Sequence, residues 1–195
     1  MAEWSNALVL KTSDQKWSVG SNPTASALNK WLLFNIFYNI NNSHFYIDDK
    51  YNMKKYIILL DDTIKILDIT LYRIQAVKDF ADVKTGELGG YIASENNLSQ
   101  DGNCWVYNYA KVYDNALVTG NAKIFDRANI FGFATISESA MIYDLAMIYG
   151  HAKICGEAKI GSSCIINDHA QVYGKTVLCN NEVICENKLI CRYED

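Results

Sequence analysis

The chain reads as an all-β solenoid wound from a single six-residue repeat, and three observations carry that reading. From Val106 to Ile190 an aliphatic residue recurs at every sixth position without a miss, through Val112, Val118, Ile124, Ile130, Ile136, Ile142 and onward to Leu178 and Ile184. A small residue follows most of these by four positions, as at Ala110, Ala116, Ala122, Ala128 and Ala134. The two positions just before each small residue are mostly Gly, Asp, Asn, Ser or Glu, as in Asp114-Asn115 and Gly120-Asn121. A six-residue period fits neither an α-helix nor an ordinary strand pair, whereas a fixed repeat is the mark of a solenoid.

Each element follows from the repeat. Within Ala-x-(Val/Ile)-x the small and aliphatic residues alternate with others, so both point inward from a very short strand. Gly, Asn and Asp then tolerate the left-handed backbone that a tight corner demands. Strand and corner repeated give a triangular coil of three hexads. The fifteen hexads from Val106 to Ile190 therefore make a prism of five coils, stacked about 4.8 Å apart. An antiparallel β domain would instead need a turn every 8–12 residues or so.

Upstream, three apolar segments, Tyr56–Leu60, Ile64–Leu67 and Leu71–Val77, are separated by Asp61-Asp62 and Asp68. They are expected to form two or three strands of an N-terminal cap, since an open solenoid end exposes core and strand edges. Lys84–Gly90 reads as a turn. Ile92 and Leu98 already keep the spacing of six, so residues 53–104 hold the cap and an irregular first coil, and residues 105–195 the regular repeat. Near the end the small inward position becomes Glu182 and then Lys188. Charge at those positions is expected to fray or terminate the stack.

The repeat resembles that of the hexapeptide-repeat proteins, and the resemblance implies a left-handed β-helix, frequently trimeric. A more specific resemblance lies in Arg73–Lys84, in Gly89-Gly90-Tyr91-Ile92 and in Asn97–Tyr107. These blocks are similar to the N-terminal region of the YdcK-type proteins, a family labelled as acetyltransferases on the strength of its fold. It would imply acetyl-CoA as cofactor and a corner histidine as general base.

Residues 1–52 have a different character. Gly20-Ser21-Asn22-Pro23 and its flanks read like a translated transfer-RNA gene, and residues 28–52 are rich in Asn, Ile, Phe, Tyr and Lys, like translated AT-rich DNA. Met53 is accordingly read as the natural initiator and residues 1–52 as a non-native, poorly ordered extension. A transfer-RNA neighbour also hints at a mobile element, and with it at an inhibitor of a host defence system.

Composition narrows the function classes. Lys and Arg number 18 against 22 Asp and Glu, a net charge of −4, and no basic stripe stands out, so nucleic-acid binding has no electrostatic support. No apolar run reaches the ~20 residues a membrane span needs, and a basic-apolar-small signal peptide is missing from the start, which points to the cytoplasm. The six cysteines form no CxxC pair. Cys104 and Cys164 fall at or near core positions, while Cys155, Cys179, Cys185 and Cys191 fall outward, those six residues apart on different faces; all are read as free thiols, with no metal site.

Two sets of candidate site residues remain. Trp105, Tyr107, Phe125 and Tyr143 fall on one face, and Tyr113, Phe131 and Tyr149 on the next, as outward aromatic columns. Such columns either stabilise neighbouring coils or form a binding surface. His151 and His169 lie 18 residues apart, hence on adjacent coils at one corner, and are the candidate catalytic bases. The favoured function is a rigid, non-enzymatic β-helical scaffold or binding module that self-associates or binds a protein partner through its aromatic faces and needs no cofactor. The alternative is an acetyl-CoA-dependent O- or N-acetyltransferase.

Overall fold

Fifteen short strands, from Trp105–Val106 to Leu189–Arg192, follow one another along the chain and are divided equally among three parallel stacks. The structure is a computed structural model, and it describes residues 54–192. The first face stacks the strands that begin at Trp105, Lys123, Met141, Lys159 and Val177; the second, those at Lys111, Asn129, Met147, Ile165 and Val183; the third, those at Leu117, Thr135, Lys153, Gln171 and Leu189. Every rung pairs in parallel with the rung 18 residues away, as Ile142 does with Ile124 and Ile160. The result is the three-sided prism of a single-stranded β-helix.

The core lies where the spacing puts it. Val106, Val112, Val118 and Ile124 through Ile166 are fully buried, and so are the alanines from Ala110 to Ala170, with Ala116 barely less so. Between them the backbone takes a left-handed turn at every sixth residue from Gly102 to Gly174, with φ between +54° and +73°. Most of those positions hold Gly, Asp or Asn, and Glu138 and Ser162 join them. The acidic corners have a second use that the spacing does not reveal. Asp114, Asp126, Glu138, Asp144 and Asp168 each accept the backbone N–H of the corner residue one coil on, at 2.7 to 3.3 Å. A turn that would leave an amide orphaned is thus closed by a side-chain oxygen.

The cap departs from the expected pattern in two ways. Asp61-Asp62 does not interrupt a strand: β1 runs from Tyr56 to Ile66 and pairs with antiparallel β2, Ile69–Ala76, through a bulge between Leu59 and Thr63 that absorbs the acidic pair. The Gly89-Gly90 end of the expected turn is instead part of β3, Leu88–Ile92, which pairs antiparallel with β2 and parallel with the strand at Lys111. The cap therefore continues the second face. Gly90 is required there, since a Cβ would sit 2.5 Å from the Ala110 carbonyl oxygen. Ile92 aligns with Val112, and Leu98 bridges Val118, so the irregular first coil lies where the spacing puts it.

The C-terminal expectation needs correction. Glu182 and Lys188 do not stop the stack, because Val183–Ile184 and Leu189–Arg192 still pair with the coil before them. Glu182 is only half-buried and Lys188 is exposed, so their charges reach solvent while the backbone ladder continues. The reading of residues 1–52 lies outside the described residues.

Candidate functional site

The first coil has no full coil before it, and side chains of the cap serve in its place. Lys55 is 1% exposed, and its ammonium donates to the carbonyls of Asp101, Gly102 and Cys104 at 3.3, 3.3 and 2.8 Å and to the Cys104 thiol at 3.2 Å. Burial holds its pKa below the usual lysine value. Tyr56 donates its hydroxyl to the Leu98 carbonyl, and Arg73 donates to the carbonyls of Gly89 and Asn108. Side chains that donate suit an edge of bare carbonyl oxygens, and Lys and Arg can do nothing else.

The same cap removes two residues from the expected binding surface. Trp105 is fully buried, packed edge-on against Tyr56 and Phe80 with centroids at 6.0 and 5.4 Å. It occupies the outward position of a rung, but the cap covers that rung, so outward is not exposed. Tyr107 is taken as well: its hydroxyl donates to Asp82, whose carboxylate also pairs with Lys123 at 2.6 Å. The lysine hydrogen bond pulls the Asp82 carboxyl below its ordinary pKa, and burial pushes the Tyr107 hydroxyl up.

The remaining aromatic residues stand in register but turn their edges outward. Tyr107 stacks on Phe125 at 4.4 Å, and Tyr113, Phe131 and Tyr149 form a continuous stack with centroids 5.1 and 4.8 Å apart, within 7° of parallel. All five are half-buried. Tyr143 folds over Gly161, where any Cβ would meet its ring. Tyr149 accepts from Asn167 at 3.1 Å. Within each stack the facing rings cover one another, so those faces are closed to a stacking ligand. Replacing Phe131 by Ser removes the middle ring and two stacking contacts, each pair contributing about 0.2–1 kcal/mol beyond the burial it loses. The expected result is a melt lowered by a few degrees with the same secondary structure in circular dichroism; an unchanged melt would show that the stack contributes nothing.

His151 and His169 are brought together as expected, with centroids 4.9 Å apart and rings 12° from parallel. The spacing missed a third member: Phe133, 55% exposed, stacks on His151 at 4.8 Å. These rings run along the corner between the second and third faces. An open groove of about 600 Å³ lies along a different corner, that between the first and second faces, lined by Asn108, Tyr109, Asp126, Arg127, Asp144, Leu145, Ser162 and Ser163. The histidines therefore do not face the groove. All six cysteines are free, with Cys104 and Cys164 buried. Among the described residues no three His, Cys, Asp or Glu side chains gather as a metal site, and no helix is long and apolar enough to cross a membrane.

Acid should loosen the cap before the prism. In the loop after β2, Asp79 accepts from the Thr85 amide and hydroxyl, both at 2.8 Å, and from Lys84; these bonds lower its pKa to about 2. A carboxyl whose folded pKa is depressed contributes stability above its unfolded value, and that contribution is lost as pH falls through the folded one. Protection of the Thr85 amide, its exchange relative to the intrinsic rate at the same pH, should fall between about pH 4 and pH 2, and Asp79→Asn should remove that pH dependence. Protection at Thr85 that stays flat across this range would contradict the assignment.

Stacked parallel rungs, a six-residue register and left-handed corners define a β-solenoid of the hexapeptide-repeat kind. A stretch of 41 residues, 21% of the chain, is 46% identical to "Uncharacterized acetyltransferase YdcK" of Escherichia coli (strain K12), and spans 13% of that protein. No family model matches the chain.

Proposed function

We propose that the protein is a non-enzymatic β-helical scaffold that binds copies of itself or a protein partner along its prism. The observation that supports this reading is the unbroken register: from Trp105 to Arg192 strands follow at six-residue intervals with no inserted loop. Each coil is fixed to its neighbours by backbone ladders and ring stacks, which suits a rigid spacer with repeating edges. The aromatic columns stiffen the faces, so binding falls to side chains that project further. Tyr109, Phe133 and Leu145, all on corners, are 53–58% exposed. Light scattering on the full chain tests the self-association: an oligomer that dissociates on dilution is the expected result, and a monomer at high concentration would contradict it.

An acetyl-CoA-dependent O- or N-acetyltransferase is the second reading, favoured by the partial likeness to YdcK and by the paired imidazoles of His151 and His169. It has less support in the site, because the paired histidines and the groove lie on different corners and no loop builds an acceptor pocket beside either histidine.

A further inference from the structure

We infer that the corner between the first and second faces is a two-fold docking edge whose occupant is a second copy of this chain, running antiparallel to the first. This rests on the self-association proposed above and names where it occurs. The outermost column of that corner runs Tyr109, Arg127, Leu145, one residue per coil. Tyr109 is 58% exposed and Leu145 53%, and they flank Arg127, which is also exposed. Among the described residues no carboxylate pairs with Arg127. Its charge lies close enough to Lys111 to lower that lysine's pKa further than burial alone.

Beside this column runs a second one, Asn108, Asp126 and Asp144. The carboxylates of Asp126 and Asp144 each hold a backbone amide of the next coil, at 3.3 and 2.8 Å, but among the described residues neither meets a side-chain cation. Apart from Arg73, which lies over Tyr109 and pairs with Asp62, the edge thus carries two positive groups, Lys111 and Arg127, and two negative ones, Asp126 and Asp144, without internal pairing. A surface of that kind is complementary to itself.

Symmetry decides the arrangement. A two-fold axis at the level of Arg127 reverses the order of coils, so Tyr109 of one copy meets Leu145 of the other, and Leu145 meets Tyr109. The two Arg127 side chains then flank the axis, and their like charges are offset because each can turn to an Asp126 or Asp144 carboxylate of its mate. A self-complementary patch of this type closes as a dimer and does not propagate. Tyr and Arg are also the residue types that dominate interface energetics when water is excluded around them. The groove, about 600 Å³ and open along its length, gives the mate's corner a place to seat.

The test compares sedimentation and light scattering of the full chain with those of three variants, with circular dichroism confirming the fold of each. Tyr109→Ser with Leu145→Ser should weaken the dimer by roughly 30-fold or more, the loss expected for two central anchors. Arg127→Gln should weaken it as well. Asp126→Asn with Asp144→Asn keeps the side-chain oxygens that close the corners and removes only the charge. That variant should also weaken the dimer, and combining it with Arg127→Gln should cost no more than either change alone, because both remove one interaction. A wild-type monomer would overturn this docking edge together with the self-association behind it. A wild-type oligomer unaffected by these changes, or one that is trimeric, would overturn the docking edge alone and leave self-association standing elsewhere on the prism.

Discussion

Replacing Ile142 by Asp should abolish cooperative folding of the repeat. Ile142 is fully buried in the middle of the first face, paired with Ile124 on one side and Ile160 on the other. Ala140 and Ala146, its nearest small neighbours in sequence, are fully buried too, so a carboxylate here finds apolar walls and no donor. Burying an unpaired charge in such surroundings costs several kcal/mol even after relaxation, out of about 5–15 kcal/mol for a whole domain. Each coil packs mainly on its neighbours, so a disrupted central coil separates the solenoid into two short stacks, each with a new open end. A thermal melt by circular dichroism should show no cooperative transition. A melt close to wild type would mean that position 142 is not inward and that the register is wrong throughout.

The second large effect is expected at Lys55. Changing it to Met keeps much of the aliphatic stem and removes the ammonium. Three backbone carbonyls, those of Asp101, Gly102 and Cys104, then lose their donor in a place the side chain kept dry. Leaving one buried polar group unsatisfied costs about 1–3 kcal/mol, and the Lys55 substitution leaves several partly so, offset by the lower cost of burying an uncharged group. A net loss of about 2–4 kcal/mol is expected, concentrated at the cap. Hydrogen exchange should therefore accelerate in β1 and β2 before it does in the coils at Ile142 or Ile154. Equal acceleration everywhere, or none, would show that Lys55 does not cap the first coil.

These two positions also mark what the sequence makes legible and what it does not. Ile142 is read from spacing alone, because a six-residue register has one inward solution and every rung repeats it. The corners are read in the same way: the residue types that tolerate a left-handed backbone stand where φ is positive. What the spacing conveys is direction, not cover. Trp105 sits at an outward position and is nonetheless buried, because Tyr56 and Phe80, far from it in sequence, close over that rung. Tyr107 is engaged by Asp82 for the same reason. Ring orientation was equally hidden, since a column of aromatic residues reads the same whether its rings lie open to solvent or cover one another. Lys55 carries almost no signal: a lysine one residue before a strand looks like surface until the carbonyls it serves are known. The Tyr109–Arg127–Leu145 edge leaves no mark in the sequence because one aromatic, one cation and one aliphatic residue at corner positions form no pattern of type. They come together only as neighbours on successive coils.

The reading of the prism as a scaffold, and not as an acyl-transfer enzyme, is tested most directly by titrating the full chain with acetyl-CoA in a calorimeter. No saturable heat is expected up to millimolar ligand, the same for wild type and for His151→Ala with His169→Ala. Saturable binding that those histidine changes weaken, accompanied by turnover of the thioester, would contradict it and identify the histidine corner as a catalytic site.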